Sequence, residues 1–529
     1  MKLCLRTFAL ASSNVAALVI ALPALLGGCS AAHAEDETEA TGLAEQASGT
    51  LPGYVTSIKP YAVSLSPEYA LQPLLSVGDR VPRTSDPSET FQMVGIPDGI
   101  GTYRGPGNTT FLYMSHEFGN TVLSEPILGR PLNRGAIVSR LVLDGDGRIT
   151  SGDRAYASVW SENTLVGPAA DVTNTTPSFA RFCSASLSYR ESGFDRPIFF
   201  AGEESTGAGT FDGLGGLAIA VFDNELHTLP KFGRFSWENT LAQPKPGART
   251  VLLGMEDGPA TTDNQLYLYV GHKERRRGAT PMRRNGLDNG RMFAFVSDTP
   301  GVTTELEFTS GQIEGHWVEI AEPEALTDAE LEEASDALGA FGFIRTEDAA
   351  FDPENPDVVY FVTTGSGAGN ELGRAYKMTL DSEDPTGHTV IDLLYNADAV
   401  IAAGGDTAIS PDNVGVSRDH VLINEDGTTQ SRAQMERLGR EASIWRFAKI
   451  DMVATRIAEL NPPARDATDI PVSGTWETTG IVPAPGFGAD AWFVNVQAHG
   501  PTRAPAPNTV EDGQLLLLRH TRLDALKSQ

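Results

Sequence analysis

Residues 249–274, "RTVLLGMEDGPATTDNQLYLYVGHKE", show the pattern that indicates the fold class. Two short apolar runs, rich in Val, Leu and Tyr, are separated by a segment of Gly, Pro, Asn and Asp. Short runs with β-branched and aromatic residues between turn-forming residues are typical of strands. The stretch therefore predicts two strands joined by a loop.

The same pattern recurs along the chain, in "TFLYM", "RPIFFAG", "RMFAFV", "DVVYFVTT", "DHVLIN" and "AWFVNVQ". The 54 glycines and 33 prolines suit the many turns that such a chain needs. Helix signals are few: residues 326–342, with Thr327 as the N-cap, and residues 428–442. No Gly/Ser-rich or Pro-rich linker divides 51–529. We predict an all-β fold, a single β-propeller of six blades over 51–529 with a few short helical insertions; a two-domain sandwich is the alternative.

The N-terminus has the features of an export signal. Lys2 and Arg6 precede the apolar stretch "ALVIALPALLGGC", which is short and interrupted by Pro and Gly. "LGGC" resembles a lipobox, which would end the signal at residue 28 and place a lipid on Cys29; "AHA" would end it at residue 34 instead. Residues 29–50 are small and acidic and predict a flexible tether. We expect a periplasmic or cell-surface protein.

The charge of the chain limits its possible binding partners, and its cysteine content limits the possible roles of Cys183. The formal net charge of −29 makes nucleic acid an unfavourable partner, and the chain's one membrane contact would be the lipid at Cys29. We expect a monomer. Either cleavage removes Cys4, so Cys183 cannot form an intramolecular disulfide if Cys29 carries lipid. A buried inert thiol, an intermolecular bridge, and a metal ligand or nucleophile remain open for Cys183.

Five apolar runs end in acids. These acids are Glu117, Glu203 with Glu204, Glu256 with Asp257, Glu347 with Asp348, and Glu425 with Asp426. Acids are ordinary in a turn after a strand, but equivalent strand ends of a propeller can meet at one axis. Five carboxylates roughly 5–6 Å apart at an effective dielectric constant of about 20 repel by about 3 kcal/mol per pair. The ten pairs together, about 30 kcal/mol, exceed the usual stability of a domain, so converging acids must take up protons or cations. Outside the cytoplasm, calcium is the expected ion.

The ordered motifs "YMSHE", "FCSASL", "GEES", "GMEDG", "FIRTEDAAFDP", "PDNVGVSRDHVLINEDG" and "WETTGI" resemble those of PhoX-type alkaline phosphatases. The resemblance covers roughly residues 90–500. It implies a propeller with an axial site of calcium and two ferric ions bridged by an oxo group, and hydrolysis of small-molecule phosphomonoesters. Ser115 stands where well-studied members have Asn, and the twin-arginine export signal of the family is missing.

The resemblance also implies roles for individual residues. Cys183 would ligate ferric iron, and Arg345 would bind the phosphate. The remaining metal ligands, directly or through the groups around them, would be Glu117, Glu203 or Glu204, Glu256, Glu347, Asp412, Asn413, Glu425 and Asp426. Calcium and iron (Fe³⁺) are the implied cofactors.

Two other functions stay open: a calcium-stabilised, non-catalytic propeller that binds a ligand or a cell-surface partner, and a propeller hydrolase of lactones or esters. His116, His272 and His499 each follow an apolar run, and we interpret them as strand-end histidines. Residues 144–153 favour a hairpin turn over a calcium loop. The arginines between 275 and 284 are expected to pair with surface acids.

Overall fold

The computed structural model describes residues 53–465, 472–488, 490–499 and 508–521. The predicted signal, Cys29 and the tether lie outside these residues. Four short strands come first: β1 (Ala62–Ser64), β2 (Tyr69–Ser76), β3 (Arg80–Pro82) and β4 (Thr90–Gln92). β3 and β4 pair as a hairpin, whereas β1 and β2 join sheets formed by the end of the chain.

The first three sheets follow in chain order. Blade 1 contains β5 (Pro97–Arg104), β6 (Thr110–His116), β9 (Ile137–Leu143) and β10 (Ile149–Arg154), with the small hairpin β7 (Leu123–Ser124) and β8 (Asn133–Arg134) between them. Blade 2 contains β13 (Ser186–Ser188), β14 (Ile198–Gly202), β15 (Ala218–Phe222) and β16 (Glu225–Thr228), extended by β11 (Ser158–Ser161) and β12 (Thr164–Pro168). Blade 3 contains β17 (Trp237–Ala242), β18 (Arg249–Glu256), β19 (Leu266–His272) and β20 (Arg291–Ser297).

The remaining blades complete a ring. Strand β21 (Gln312–Ile320) links blade 3 to blade 4, which contains β22 (Thr346–Phe351), β23 (Val358–Thr363), β24 (Arg374–Thr379) and β25 (Thr389–Asn396). Blade 5 contains β26 (Pro411–Val416), β27 (His420–Glu425), β28 (Ser443–Ala448) and β29 (Ala454–Leu460), followed by β1. Blade 6 contains β30 (Glu477–Pro483), β31 (Ala491–Ala498), β32 (Asp512–His520) and β2.

The ring closes at both the centre and the edge. The first strands of the six blades, β5, β13, β17, β22, β26 and β30, contact one another in order and return to β5. At the edge, β2 pairs with β32, with Tyr69 opposite His520. The predicted six-bladed all-β propeller is confirmed. Residues 249–274 form the β18–β19 pair with the predicted loop between the two strands.

The helices are short insertions, as predicted: α1 (Pro281–Arg284), α2 (Asp328–Leu338), α3 (Ala397–Ala402) and α4 (Thr429–Leu438). Thr327 caps α2 and forms a capping box with Glu330. Gly339 ends α2 in the left-handed conformation. Among the described residues, no helix is long and apolar enough to cross a membrane.

The core lies between the blades. Strands buried on both faces carry continuous apolar runs rather than alternating ones, and β14 shows why. Phe199 packs toward blade 1, where its ring lies 5.6 Å from that of Tyr113, whereas Phe200 packs with Trp237 toward blade 3. Successive side chains of one strand therefore stabilise two different blade interfaces.

Candidate active site

The first strand of each blade begins close to the central axis, and in four blades it begins with a β-bulge. In blade 1, Pro97 pairs with His116 and Ile100 with Met114, so two residues of β5 oppose one of β6. The same shift occurs at Trp237, Thr346 and Pro411. A bulge re-aims the side chains at its position, which here is the start of the strand at the axis.

Six equivalent residues occupy this position, and we call them the inner ring: Asp98, Cys183, Glu238, Glu347, Asp412 and Glu477. All six line one cavity of about 270 Å³. At the bulge of blade 1 the backbone of Gly99 lies very close to blade 2. A Cβ atom on Gly99 would be only 2.1 Å from the backbone nitrogen of Ala185. The residue after Asp98 must therefore be glycine for the blades to approach this closely.

A second set of side chains, the outer ring, follows the second strand of each blade at the same end. It consists of Glu117, Glu204, Asp257, Asp426 and His499, all of which line the cavity. Blade 4 has Thr364 at the corresponding place, which is not among the lining residues. The two rings together form one site, although its first and last residues, Asp98 and His499, are 401 positions apart in the sequence.

Two arginines complete the wall. Arg181 lies two residues before Cys183, and Arg345 lies two residues before Glu347. Both have a left-handed backbone, with φ of 45° and 56°. Nη2 of Arg181 lies 2.6 Å from a carboxylate oxygen of Glu117 and 2.6 Å from one of Glu204.

Arg345 is held more completely than Arg181. Its Nε and Nη2 donate to the two oxygens of Asp257 at 2.9 and 2.8 Å, and its Nη2 also lies 3.3 Å from Glu347. Such a two-point pairing fixes the plane of the guanidinium. Asp257 therefore determines the orientation of Arg345 in the cavity.

Three groups of side chains in the rings have ligand atoms within 4.8 Å of one another, close enough to hold a metal ion: Asp98 with Glu117 and Cys183, Cys183 with Glu204 and Glu238, and Glu238 with Glu347 and Asp412. Cys183 and Glu238 are each shared by two groups. The first two groups include a thiol, whereas the third offers only oxygen. The site can therefore bind several cations side by side.

The acids of the inner ring are difficult to ionise without cations. Burial, together with neighbouring carboxylates, raises the pKa of Asp98, Glu238, Glu347 and Asp412 well above the usual carboxyl range. The same causes raise the pKa of the Cys183 thiol. This is the behaviour expected of converging acids, which require either protons or cations.

Buried oxygens around these groups also lack donors. Oδ1 of Asp98, Oδ1 of Asn413, Oδ1 of Asn495 and Oε1 of Gln497 accept no hydrogen bond from the described residues. The amide nitrogens of the same side chains are used: that of Asn413 donates to Ser184 at 2.6 Å, and that of Gln497 donates to Asp98 at 2.8 Å. A buried oxygen without a donor is costly, and a hard cation would satisfy it. The residues therefore fit bound cations.

The structure places the predicted site residues in two groups. Glu117, Cys183, Glu204, Glu347, Asp412, Asp426 and Arg345 line the cavity. Glu203, Glu256 and Glu425 do not line it. Glu203 accepts three backbone N–H bonds, Glu256 accepts one from Gln265, and Glu425 pairs with Arg440 at 2.6 Å. These three buried carboxylates hold the loops beside the cavity.

Sequence reasoning left several lining residues out of the predicted site: Asp98, Arg181, Glu238, Asp257, Glu477 and His499. A signal for two of them was available, since "WENT" at 237–240 and "WETT" at 476–479 repeat the same start of a first strand. His499 follows β31 directly, as expected of a strand-end histidine, and it also lines the cavity; its ring lies 3.1 Å from Glu477 and 2.6 Å from Glu511.

The other motifs have structural roles. His116 is buried, with its ring nitrogens 2.9 Å from the carbonyl oxygen of Gly95 and 2.8 Å from Ser139 Oγ. Asp144 accepts two backbone N–H bonds in the turn between β9 and β10, so this segment is a hairpin. Arg276, Arg283 and Arg284 pair with acids, as expected, whereas Arg275 donates to the carbonyl oxygen of Gly193.

Comparison with known proteins identifies the family of the chain. The sequence profile of the family described as "Alkaline phosphatase PhoX" matches residues 224–500, which is more than half of the chain. No curated protein sequence matches the chain at a significant level.

Solved structures similar to the chain include Pseudomonas fluorescens PhoX in complex with vanadate, a transition state analogue. The two share 15% sequence identity with a TM-score of 0.62, over 89% of this chain and 98% of that one. An α-L-arabinanase of Penicillium chrysogenum, complexed with arabinobiose, has 10% identity and a TM-score of 0.38, over 84% and 98% of the two chains. At 15% identity, the match to the Pseudomonas structure indicates a shared fold alone. On the profile match, the chain belongs to the PhoX family of alkaline phosphatases.

Proposed function

We propose that this phosphatase hydrolyses phosphomonoesters in the axial cavity with the help of calcium and ferric iron. The observation that carries the proposal is the convergence of the thiol, the carboxylates and two guanidiniums on one cavity, in a chain of this family. Hydrolysis of phosphate monoesters is extremely slow without catalysis, and the barrier is lowered mainly by charge and positioning. The cavity supplies both.

The chemistry of the donors suggests which ions the groups hold. A thiolate suits iron, so we assign iron to the two groups that share Cys183, with Asp98, Glu117, Glu204 and Glu238 as the oxygen ligands. The oxygen-only group of Glu238, Glu347 and Asp412 suits calcium. Bound cations would neutralise the charge of the phosphoryl oxygens.

The chain's own residues position the substrate. Nη1 of Arg345 donates to none of the described residues, and we assign it to a phosphoryl oxygen. Asp257 keeps the guanidinium in a fixed plane, so it is a positioning residue. Four inner-ring acids, Asp98, Glu238, Glu347 and Asp412, are buried, and a surrounding of low dielectric constant strengthens each charge–charge contact they make.

The test is turnover of p-nitrophenyl phosphate by protein loaded with calcium and ferric iron. We expect Arg345→Gln to lower kcat/KM by about 10²-fold or more, since it removes a charge-assisted contact to the transferred group. Arg284→Gln is the matched control, because Arg284 pairs with Asp195 outside the cavity. Absence of turnover in the loaded wild-type protein would contradict the proposal.

The oxygen-only group also supports a second candidate, a calcium-stabilised propeller without catalysis. Elemental analysis of protein purified from its native host separates the two. Calcium together with iron supports the enzyme, and calcium without iron supports the second candidate. We further propose that the protein acts outside the cytoplasm, after cleavage of the N-terminal signal at one of its two predicted sites.

A further inference from the structure

The six first strands enclose a second cavity at the end opposite to the inner ring, and we call it the far cavity. Its volume is about 350 Å³, and each of the six blades contributes to its wall. The wall is mostly apolar, and its larger apolar side chains include Leu187, Leu241, Phe351, Val416, Ile481 and Val482. An apolar cavity of about 150 Å³ is already enough to take up benzene. The far cavity therefore has room for a compact organic molecule.

Asp348 supplies the charge of this cavity. Among the described residues that line the far cavity, it is the only charged one. Its side chain is not fully enclosed, since Asp348 is 7% exposed, and it does not line the axial cavity of the candidate active site. We therefore assign the exposed surface of the carboxylate to the far cavity.

The hydrogen bonds of Asp348 favour its ionised form and leave one position free. Oδ1 accepts hydrogen bonds from Nδ2 of Asn239 and from the backbone nitrogen of Ala349, whereas Oδ2 accepts one from the backbone nitrogen of Val414, at 3.0 Å. N–H donors on a carboxylate stabilise its charged form. Each carboxylate oxygen can accept about two hydrogen bonds, so Oδ2 can accept one more.

The surrounding charges determine which kind of ligand could donate that bond. The wall contains no lysine, arginine or histidine among the described residues, and the whole chain has a net charge of −29, so an anion would be repelled. At the rim, Arg104 donates to the carbonyl oxygen of Pro485 and to Asn108 in an exposed position, where solvent screens its charge. An ammonium group has N–H donors and the complementary charge.

We propose that the far cavity binds a small organic ammonium ion, whose N–H group donates to Oδ2 of Asp348 and whose compact apolar body contacts the wall. A mostly apolar wall with few polar groups that fix the orientation of the ligand is typical of small-molecule sites. The low dielectric constant of such a wall strengthens the pairing of the two charges. The proposal does not depend on the phosphatase function, because this site is separate from the axial cavity.

The experiment compares benzylammonium with benzyl alcohol, which has nearly the same shape and no charge, by titration calorimetry. The protein is loaded with calcium and ferric iron, so that cations occupy the acids of the axial cavity. We expect the wild-type protein to bind benzylammonium at least about tenfold more tightly than benzyl alcohol, as expected for one charge-assisted contact. Asp348→Asn should remove this preference.

Two further variants locate the binding. Ala350→Phe places a large side chain in the wall of the far cavity and should weaken the binding of both compounds. Glu204→Gln is the matched control, because it removes an acid that lines the axial cavity alone, and it should keep the preference for benzylammonium.

Equal affinity of the wild-type protein for the two compounds would overturn the inference, and so would a failure to bind either of them. A preference that persists in Asp348→Asn and disappears in Glu204→Gln would place the ligand in the axial cavity and would also overturn it. If circular dichroism shows that Asp348→Asn does not fold, Ala350→Phe still provides the test. Unchanged affinities in that variant would exclude the far cavity as the site.

Discussion

The two ends of the central channel are built from the same six strands and have opposite chemistry. At the start of these strands lie five acids and a thiol, whereas their far ends line a cavity of about 350 Å³ with Thr102, Leu187, Leu241, Phe351, Val416 and Ile481. The same six strands lie next to one another at both ends of the channel. The chemistry therefore comes from the residue placed at each strand start and not from the architecture.

Asp348 marks the boundary between the two ends. It follows Glu347 directly in β22, but it lines the far cavity, where it accepts hydrogen bonds from Asn239 and from the backbone of Val414. Burial raises the pKa of Asp348 to about 7. Two adjacent acids thus serve different ends, one at the candidate metal site and one in the polar layer that joins three blades.

The largest effect is expected from Cys183→Ser. The thiol belongs to two of the three candidate metal groups, so its loss should disturb both. We expect kcat/KM to fall by about 10³-fold or more, with loss of iron in elemental analysis. Ser186→Ala is the control, since Ser186 lines the far end of the same segment. Retained iron and activity would remove Cys183 from the site.

Cation removal should produce the next largest effect, visible in how stability depends on pH. Burial, opposed in part by Arg181, raises the pKa of Glu204 to about 8, well above its value of about 4.5 in an unfolded chain. Such a group favours the folded state below its unfolded pKa, and this contribution is lost as pH rises toward 8. Chelated protein should therefore lose Tm between pH 5 and pH 8.

Calcium and iron should reduce or abolish that loss, because they stabilise the ionised carboxylates. The measurement is thermal unfolding followed by circular dichroism with and without chelator. Equal pH profiles in the two conditions would show that the rings do not depend on cations.

Substitutions of two neighbouring acids, Glu347 and Asp348, compare the two ends of the channel directly. Glu347→Gln should lower kcat/KM by about 10²-fold, because it removes a ligand charge, while its effect on Tm should be smaller. Asp348→Asn should keep kcat/KM within a few-fold and lower the free energy of unfolding by about 1–3 kcal/mol, since buried hydrogen bonds are broken. Steady-state kinetics and urea unfolding measure the two quantities. Similar profiles for both variants would remove the distinction between the ends.

The smallest effect on activity is expected from Leu241→Ala. Leu241 is 7% exposed at the far end and packs with Leu253 between blades 3 and 4. The free energy of unfolding should fall by about 2–3 kcal/mol through lost burial and a residual cavity, with kcat/KM unchanged. A large loss of kcat/KM in folded protein would show that the far end takes part in the reaction.

The fold could be predicted from strand patterns and turn residues, since most strands are short apolar runs with few competing signals. The site could be predicted only in outline, and the acid doublets show why. Of Glu203 and Glu204, or Glu425 and Asp426, the second acid lines the cavity, whereas in Glu347–Asp348 it is the first. Which of two neighbours faces the axis depends on whether the pair lies in a first-strand bulge or after a second strand. Sequence alone does not give that register.

Arg181 was missed for a related reason. It precedes Cys183 by two residues, as Arg345 precedes Glu347, but the equivalence becomes visible only once the blades are superimposed as repeats. Asp98 is the second residue of β5, so it does not belong to the pattern of acids that follow a strand.

The pairing of β2 with β32 has a consequence for assembly. The ring is complete only when β2 pairs with β32, which follows it by more than 400 residues. Glu477 and His499 belong to the blade that this pairing completes. Contacts this distant in sequence form slowly. The ligands of the three candidate metal groups come from blades 1 to 5, so these groups can assemble before this last pairing. Stopped-flow measurement of calcium uptake beside tryptophan fluorescence should therefore show the cation bound ahead of the final step of refolding.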